Sequence, residues 1–156
     1  MVCIKSKINV MDWKEYFLGI AEQVKLKSKD KFTQIGAVIV GEDNEVLSTG
    51  YNSFPRGMDD SLKERQERPE KYFWFEHAER NAIYNAARVG IPLKNSKIYL
   101  TSGLPCMDCA RGIVNSGIKE VYCKEICTTK NKEKWDESQK KSYQLLSECG
   151  VTIIYY

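Results

Sequence analysis

The chain's one histidine, His77, opens the run His77-Ala78-Glu79, and Pro105-Cys106-Met107-Asp108-Cys109 follows downstream. One imidazole and two thiolates are the ligand types zinc prefers. A structural zinc site is normally closed by four protein ligands, whereas a catalytic site keeps one position open for water. With no second histidine to close the set, the pattern points to a catalytic metal. Cys106 and Cys109 stand three apart, so on a helix they share a face. Pro105 is a good helix entry, and a first helical turn favours anionic sulfur and lowers thiol pKa. His77 begins a second helical run, so two helix N-termini can converge on one ion. Glu79, two residues on, need not bind the metal. Its carboxylate can take a proton from water and return it to the reacting molecule, base and acid in turn.

Each motif alone is weak. A Cys-x-x-Cys pair is common in structural zinc sites and redox motifs, and a lone His-x-Glu means little. Their coincidence, each opening a helical pattern, carries the catalytic reading. Of the other cysteines, Cys123 and Cys149 fall near element ends and read as ordinary buried or half-buried thiols. A second metal site is not expected, because no further histidine exists.

These residues must be held by a fold, and hydrophobic periodicity outlines it. Residues 12–28 read as an amphipathic helix, with Asp12 as N-cap and Trp13, Phe17, Ile20 and Val24 at helical spacing. Ile35 to Val40 reads as a buried strand and Val46 to Tyr51 as its hairpin partner across the turn Glu42-Asp43-Asn44. Residues 53–76 break the rhythm with Pro55, Gly57, many charges and Tyr72-Phe73-Trp74-Phe75, and read as a long loop with some helix. A helix from His77 to Arg88 ends at Gly90 with Pro92 beyond. Lys97–Thr101 is a strand, Cys106–Ser116 a helix ended by Gly117, and Val121–Cys123 a strand. Trp135–Cys149 is a helix and Val151–Tyr155 a last strand. The order predicts an α/β protein, a three-layer α/β/α sandwich on a mixed sheet of about five strands.

The 156 residues are read as a single domain, residues 1–156, large enough to bury a core. A hydrophobic share of 42% and a charged share of 29% are those of an ordinary globular protein. A net charge of +3 argues for neither a nucleic-acid-binding tail nor a membrane surface. No apolar run reaches the length of a membrane span, and Met1 to Lys7 lacks a secretory pattern, so a reducing cytoplasm is expected.

His-x-Glu followed by Pro-Cys-x-x-Cys is the signature of zinc nucleobase deaminases. The wider chain resembles the deoxycytidylate (dCMP) deaminase family, of cytidine-deaminase-like fold. The segments that carry it are Ser28-Lys29-Asp30, Thr33-Gln34-Ile35-Gly36-Ala37, Gly50-Tyr51-Asn52-Ser53-Phe54-Pro55-Arg56-Gly57, His77-Ala78-Glu79-Arg80-Asn81-Ala82-Ile83, Pro105-Cys106-Met107-Asp108-Cys109-Ala110 and Ser116-Gly117-Ile118-Lys119-Glu120-Val121. The resemblance implies one catalytic Zn²⁺ on His77, Cys106 and Cys109, with Glu79 as proton shuttle in converting dCMP to dUMP and ammonia, for thymidylate synthesis. It implies substrate contacts from Asn52, Ser28, Lys29 and Ala78. It also implies a homohexamer activated by dCTP and inhibited by dTTP with Mg²⁺, the effectors meeting Asn52, Arg56, Gly57 and Arg88. Some members of that family hold a second, structural zinc. Asp30 and Asp59-Asp60 stand in the corresponding regions, so it should be absent.

Asn52 has a plainer alternative as a turn residue capping the strand end, and Arg88 as a surface arginine. Lys29, Lys31, Arg56 and Arg111 are the candidate partners of a substrate phosphate. Competing functions are deamination of another cytosine nucleoside or nucleotide, or of tRNA, for which a broader basic surface is expected. From a different class comes a non-catalytic, zinc-stabilised nucleotide-binding module, against which Glu79 argues.

Overall fold

The computed structural model describes residues 10–125 and 137–156. Its centre is β1, Gly36–Val40, whose five residues are all buried. Antiparallel β2, Val46–Tyr51, lies on one side, and antiparallel β3, Lys97–Leu100, on the other. Parallel β4, Glu120–Cys123, and β5, Thr152–Tyr155, complete the mixed sheet in the order β2-β1-β3-β4-β5.

Side chains alternate across this sheet, as a pleat requires. Val38, Val40 and Tyr99 point to α1, Trp13–Lys25, where Phe17 and Ala21 meet them. Ala37, Ile39, Ile98, Leu100, Val121 and Cys123 point the other way. There they pack on α3 (Ala78–Val89), α4 (Met107–Ser116) and α5 (Glu137–Glu148). The expected three-layer α/β/α sandwich on five strands is therefore observed.

Asp12 caps α1 by accepting from Glu15 N at 2.8 Å. The helix is shorter than the 12–28 periodicity suggests, ending at Lys25 with Leu26 as C-cap. Leu26, Lys27 and Ser28 donate to carbonyls three residues back, a tightened last turn that releases the chain. Gly90 and Gly117 end α3 and α4 at φ 76° and 85°, the left-handed conformation that favours glycine. Between residues 53 and 76 lie only a 3₁₀ turn, Lys63–Gln66, and a one-turn helix, α2, Lys71–Trp74. The expected helix start at Trp135 lies outside the described residues. No helix among the described residues is long and apolar enough to cross a membrane.

How closely α3 approaches the sheet decides where the chemistry sits. Gly50 on β2 has no Cβ, and one built there would overlap the Ala78 carbonyl oxygen and the Ala82 backbone nitrogen. Ser48 Oγ donates to Ala82 O at 2.7 Å, Asn81 Nδ2 to Tyr51 O at 2.8 Å and Asn85 Nδ2 to Thr49 O at 2.6 Å. The helix is thus stitched along the length of β2. Strand propensity alone favours Ala over Gly, but the clash here is with backbone, which cannot rotate aside. Gly50→Ala is expected to destabilise the fold by about 1–3 kcal/mol, the usual range for overpacking. Urea unfolding checks this; stability equal to or above wild type would contradict the close approach.

Candidate active site

His77 is the N-cap of α3 and Cys106 the N-cap of α4, with Cys109 three residues into that helix. Neither side chain makes a capping hydrogen bond. Both are left to face each other. His77 Nδ1 stands 3.5 Å from the Cys106 sulfur and 3.5 Å from the Cys109 sulfur. The three donor atoms all lie within 4.8 Å of one another. With Zn–N near 2.0–2.1 Å and Zn–S near 2.3 Å, the N–S edge of a tetrahedron is about 3.6 Å. The donor set therefore fits zinc in size and in type, through Nδ1. Among the described residues these three donors form the set, and a catalytic zinc site with three protein ligands keeps its fourth position for water.

The two sulfurs and the imidazole shift one another's proton affinities. The Cys109 thiol donates toward Cys106, and His77 adds its charge, so the Cys106 thiol is drawn down to about 4 despite its burial. Cys109, beside that anionic sulfur and buried, is pushed up. The Cys106 sulfur in turn raises the His77 imidazole. Zinc takes its cysteine ligands as thiolates, so binding there would release protons. Met107 N, which its N-cap leaves without a side-chain acceptor, donates to Ser138 Oγ of α5 at 3.1 Å.

Glu79 lies on the first turn of α3 and is only 4% exposed. Burial raises its carboxyl above the ordinary carboxylate range. A carboxyl raised in this way is better suited to hold a proton than an exposed one.

Arg80 ties the two helix starts together. Its Nε donates to Glu76 Oε1 at 2.5 Å, and Nη1 pairs with Asp108 at 3.5 Å. Glu76 Oε1 also accepts from His77 N at 2.9 Å. Burial disfavours the guanidinium charge, yet Cys109 and Glu76 hold its pKa above the ordinary value. Sequence reasoning passed over Arg80 and Glu76. The available signal was their spacing of four on a helix start, which makes a pair possible.

The other predicted contacts separate into two groups. Ser28, Asn52 and Ala78 are buried. Asn52 Nδ2 donates to Thr33 O at 2.8 Å and to Asp30 Oδ2 at 3.3 Å, while its Oδ1 accepts from Ile35 N at 2.8 Å. Ser28 Oγ donates to Asn52 O and accepts from Asp30 N. Both amide protons of Asn52 and the hydroxyl proton of Ser28 go to internal partners. Lys29, Arg56 and Gly57 instead line a cleft of about 250 Å³ with Lys27, Asn81 and Asn85. There Lys29 pairs with Asp60 at 2.5 Å, and Arg56 donates to Asn85 at 2.6 Å. Arg88 is exposed near the far end of α3, outside that lining. Lys31 lies on a separate surface recess, and Arg111 pairs with Asp108. Cys123 is buried as expected, but Cys149 is exposed, because it follows the last turn of α5.

An α/β/α fold presenting a His-Cys-Cys group and a buried carboxylate at the mouths of two helices defines a metal-dependent hydrolytic enzyme. Residues 11–125 match the cytidine and deoxycytidylate deaminase zinc-binding region. The chain belongs to that family of zinc-dependent deaminases. It is 38% identical over 146 residues to an uncharacterized deaminase of Aliivibrio fischeri, covering 94% of this chain and 95% of the relative. It is 35% identical over 125 residues to human deoxycytidylate deaminase, covering 77% and 68% of the two chains. The crystal structure of dCMP deaminase from the cyanophage S-TIM5, in complex with dCMP and dUMP, superposes with a TM-score of 0.72 at 25% identity. It covers 94% of this chain and all 100% of that one.

Because Arg80 bridges the helices and faces the sulfurs, Arg80→Met is expected to fold yet weaken zinc retention roughly tenfold, as loss of an outer partner of a metal site does. Competition with a chromogenic chelator measures this. Wild-type retention would show that the bridge is dispensable.

Proposed function

We propose that this protein hydrolyses dCMP to dUMP and ammonia, with His77, Cys106 and Cys109 holding one zinc and Glu79 carrying the proton. The observation that supports it most is the approach of His77 Nδ1 to both sulfurs at 3.5 Å, with a buried carboxylate two residues away. When bound there, zinc supplies the Lewis acidity that makes water nucleophilic near neutral pH. Glu79 takes the proton of the attacking water and delivers it to N3 of the cytosine. It then takes the second proton from the hydroxyl now on C4 and passes it to the departing amine, so that ammonia leaves C4 and the C4 carbonyl of uracil remains. A carboxyl raised by burial suits a group that must hold the proton between these steps. Arg80 and Glu76 keep the two helix starts in register throughout.

The choice of dCMP is supported by the relatives that carry deoxycytidylate in their names and by the dCMP-bound structure of similar fold. Its product would feed thymidylate synthesis. The cleft of Lys27, Lys29, Arg56 and Gly57 suits a triphosphate. Lys27, Lys29 and Arg56 line it, while Asn81 and Asn85, whose amides bond β2, line it from the helix that carries Glu79. We assign to it the effector role, dCTP activating and dTTP with Mg²⁺ inhibiting, in a homohexamer of single-domain chains.

Glu79→Gln keeps the shape and removes the proton carrier. The variant is expected to bind one zinc per chain and to lose turnover by about 10²–10⁴-fold, the range for general acid–base groups. Cys106→Ala should lose metal as well. Zinc analysis beside a dUMP assay separates the two; a Glu79→Gln protein that still deaminates at the wild-type rate would overturn the mechanism.

A further inference from the structure

A buried ion pair lies away from the metal cysteines and takes no part in the mechanism above. Lys71 Nζ of α2 meets Asp30 Oδ2 at 2.7 Å, with the two side chains only 8% and 5% exposed. The carboxylate is fully occupied. Oδ1 accepts from Phe32 N at 2.9 Å and Thr33 N at 3.2 Å, and Oδ2 accepts from Asn52 Nδ2 as well as from Lys71. The ammonium also sits 5.3 Å from the centre of the Phe32 ring and 5.6 Å from that of Phe75, within cation–π range. Burying two charges is expensive, and a neutral pair of similar volume is often as stable. The pair's position shows what else it does.

From Lys71 the chain runs directly to the metal ligand. Phe75 N closes α2 on Lys71 O at 2.9 Å, and the Phe75 ring packs on Phe54 with centres 4.4 Å apart. Glu76 forms a two-bond bridge with Ser53, at 3.1 and 2.8 Å, and its carboxylate then receives His77 N at 2.9 Å. His77 therefore enters α3 from a segment held at two points, the Ser53 bridge and the Lys71–Asp30 pair. The second point also fixes Asn52 and Ser28, which hold the end of β2 to the start of β1.

We propose that Lys71 is a positioning residue: through Asp30 it anchors the Phe75-Glu76-His77 approach, so that the imidazole meets both metal cysteines. This rests on the zinc-deaminase reading, and the test separates the two. Wild-type turnover of dCMP examines that reading by itself. The variants are compared on zinc retention against a chelator, which requires no substrate, and on kcat. Lys71→Met leaves a buried, unpaired carboxylate and should lower stability. The double variant Asp30→Asn, Lys71→Met should recover part of that loss, since no charge remains buried, although the amide nitrogen that replaces Oδ2 cannot accept from Asn52 Nδ2. It should nevertheless release zinc about tenfold more readily, with kcat reduced by a similar factor, the effect of a loosened outer partner. A cooperatively folded double variant that keeps wild-type zinc retention overturns the proposal and leaves the pair as a stabilising contact only. If the double variant does not unfold cooperatively, Lys71→Arg takes its place, keeping the charge and changing its shape. Weaker zinc retention at native stability then supports the anchor, and unchanged retention overturns it.

Discussion

Three donor atoms must stand within reach of one ion, and no local geometry brings them there. His77 and Cys106 are 29 residues apart, with the whole of α3 and β3 between them. Their meeting follows from the pairing of β1 with both β2 and β3, which sets α3 and α4 side by side on one face. Gly50 lets α3 close onto the sheet, and three side-chain bonds keep it from sliding along β2. The rest of the fold serves this convergence. Helix starts suit the role, because their unfilled N–H groups and dipoles favour the anionic sulfur that a cation then neutralises.

Placing metal ligands at N-cap positions has a cost, since a side chain turned to an ion cannot cap its own helix. The molecule answers from elsewhere. Ser138 accepts the Met107 N–H, and Glu76 accepts the His77 N–H. Arg80 then spans Glu76 and Asp108, so both helix starts share one arginine. This arrangement also governs the protons. Cys106 is drawn toward thiolate while burial lifts Glu79 toward the protonated form, so neighbouring groups are biased in opposite senses. Metal binding and proton transfer both draw on that division.

The sequence made the scaffold and the metal set legible because both rest on short-range patterns. Periods of two and of 3.6 mark strands and helices, glycines mark the ends of α3 and α4, and the motif residues are nearly contiguous within each half. What it concealed depends on long-range partners. Asn52 and Ser28 have polar side chains suited to a ligand, yet both turn inward around Asp30, whose partner Lys71 lies 41 residues away. No spacing rule connects them. Within the long segment 53–76, Lys71 is one of many charges, and nothing in the local pattern sets it apart. Arg88 shares α3 with the cleft-lining Asn81 and Asn85, but it lies on the exposed far end of the helix. Asn81 and Asn85, four apart on an alanine-rich helix, carried a readable spacing signal, as did Glu76 and Arg80.

The account stands most directly on substrate and chemistry together. Zinc-replete protein should be given dCMP, deoxycytidine and cytidine in parallel, and ammonia and uracil-containing products followed. The account predicts stoichiometric ammonia and dUMP from dCMP, with the two unphosphorylated nucleosides turned over far more slowly. No deamination of any of the three by protein carrying one zinc per chain would contradict it.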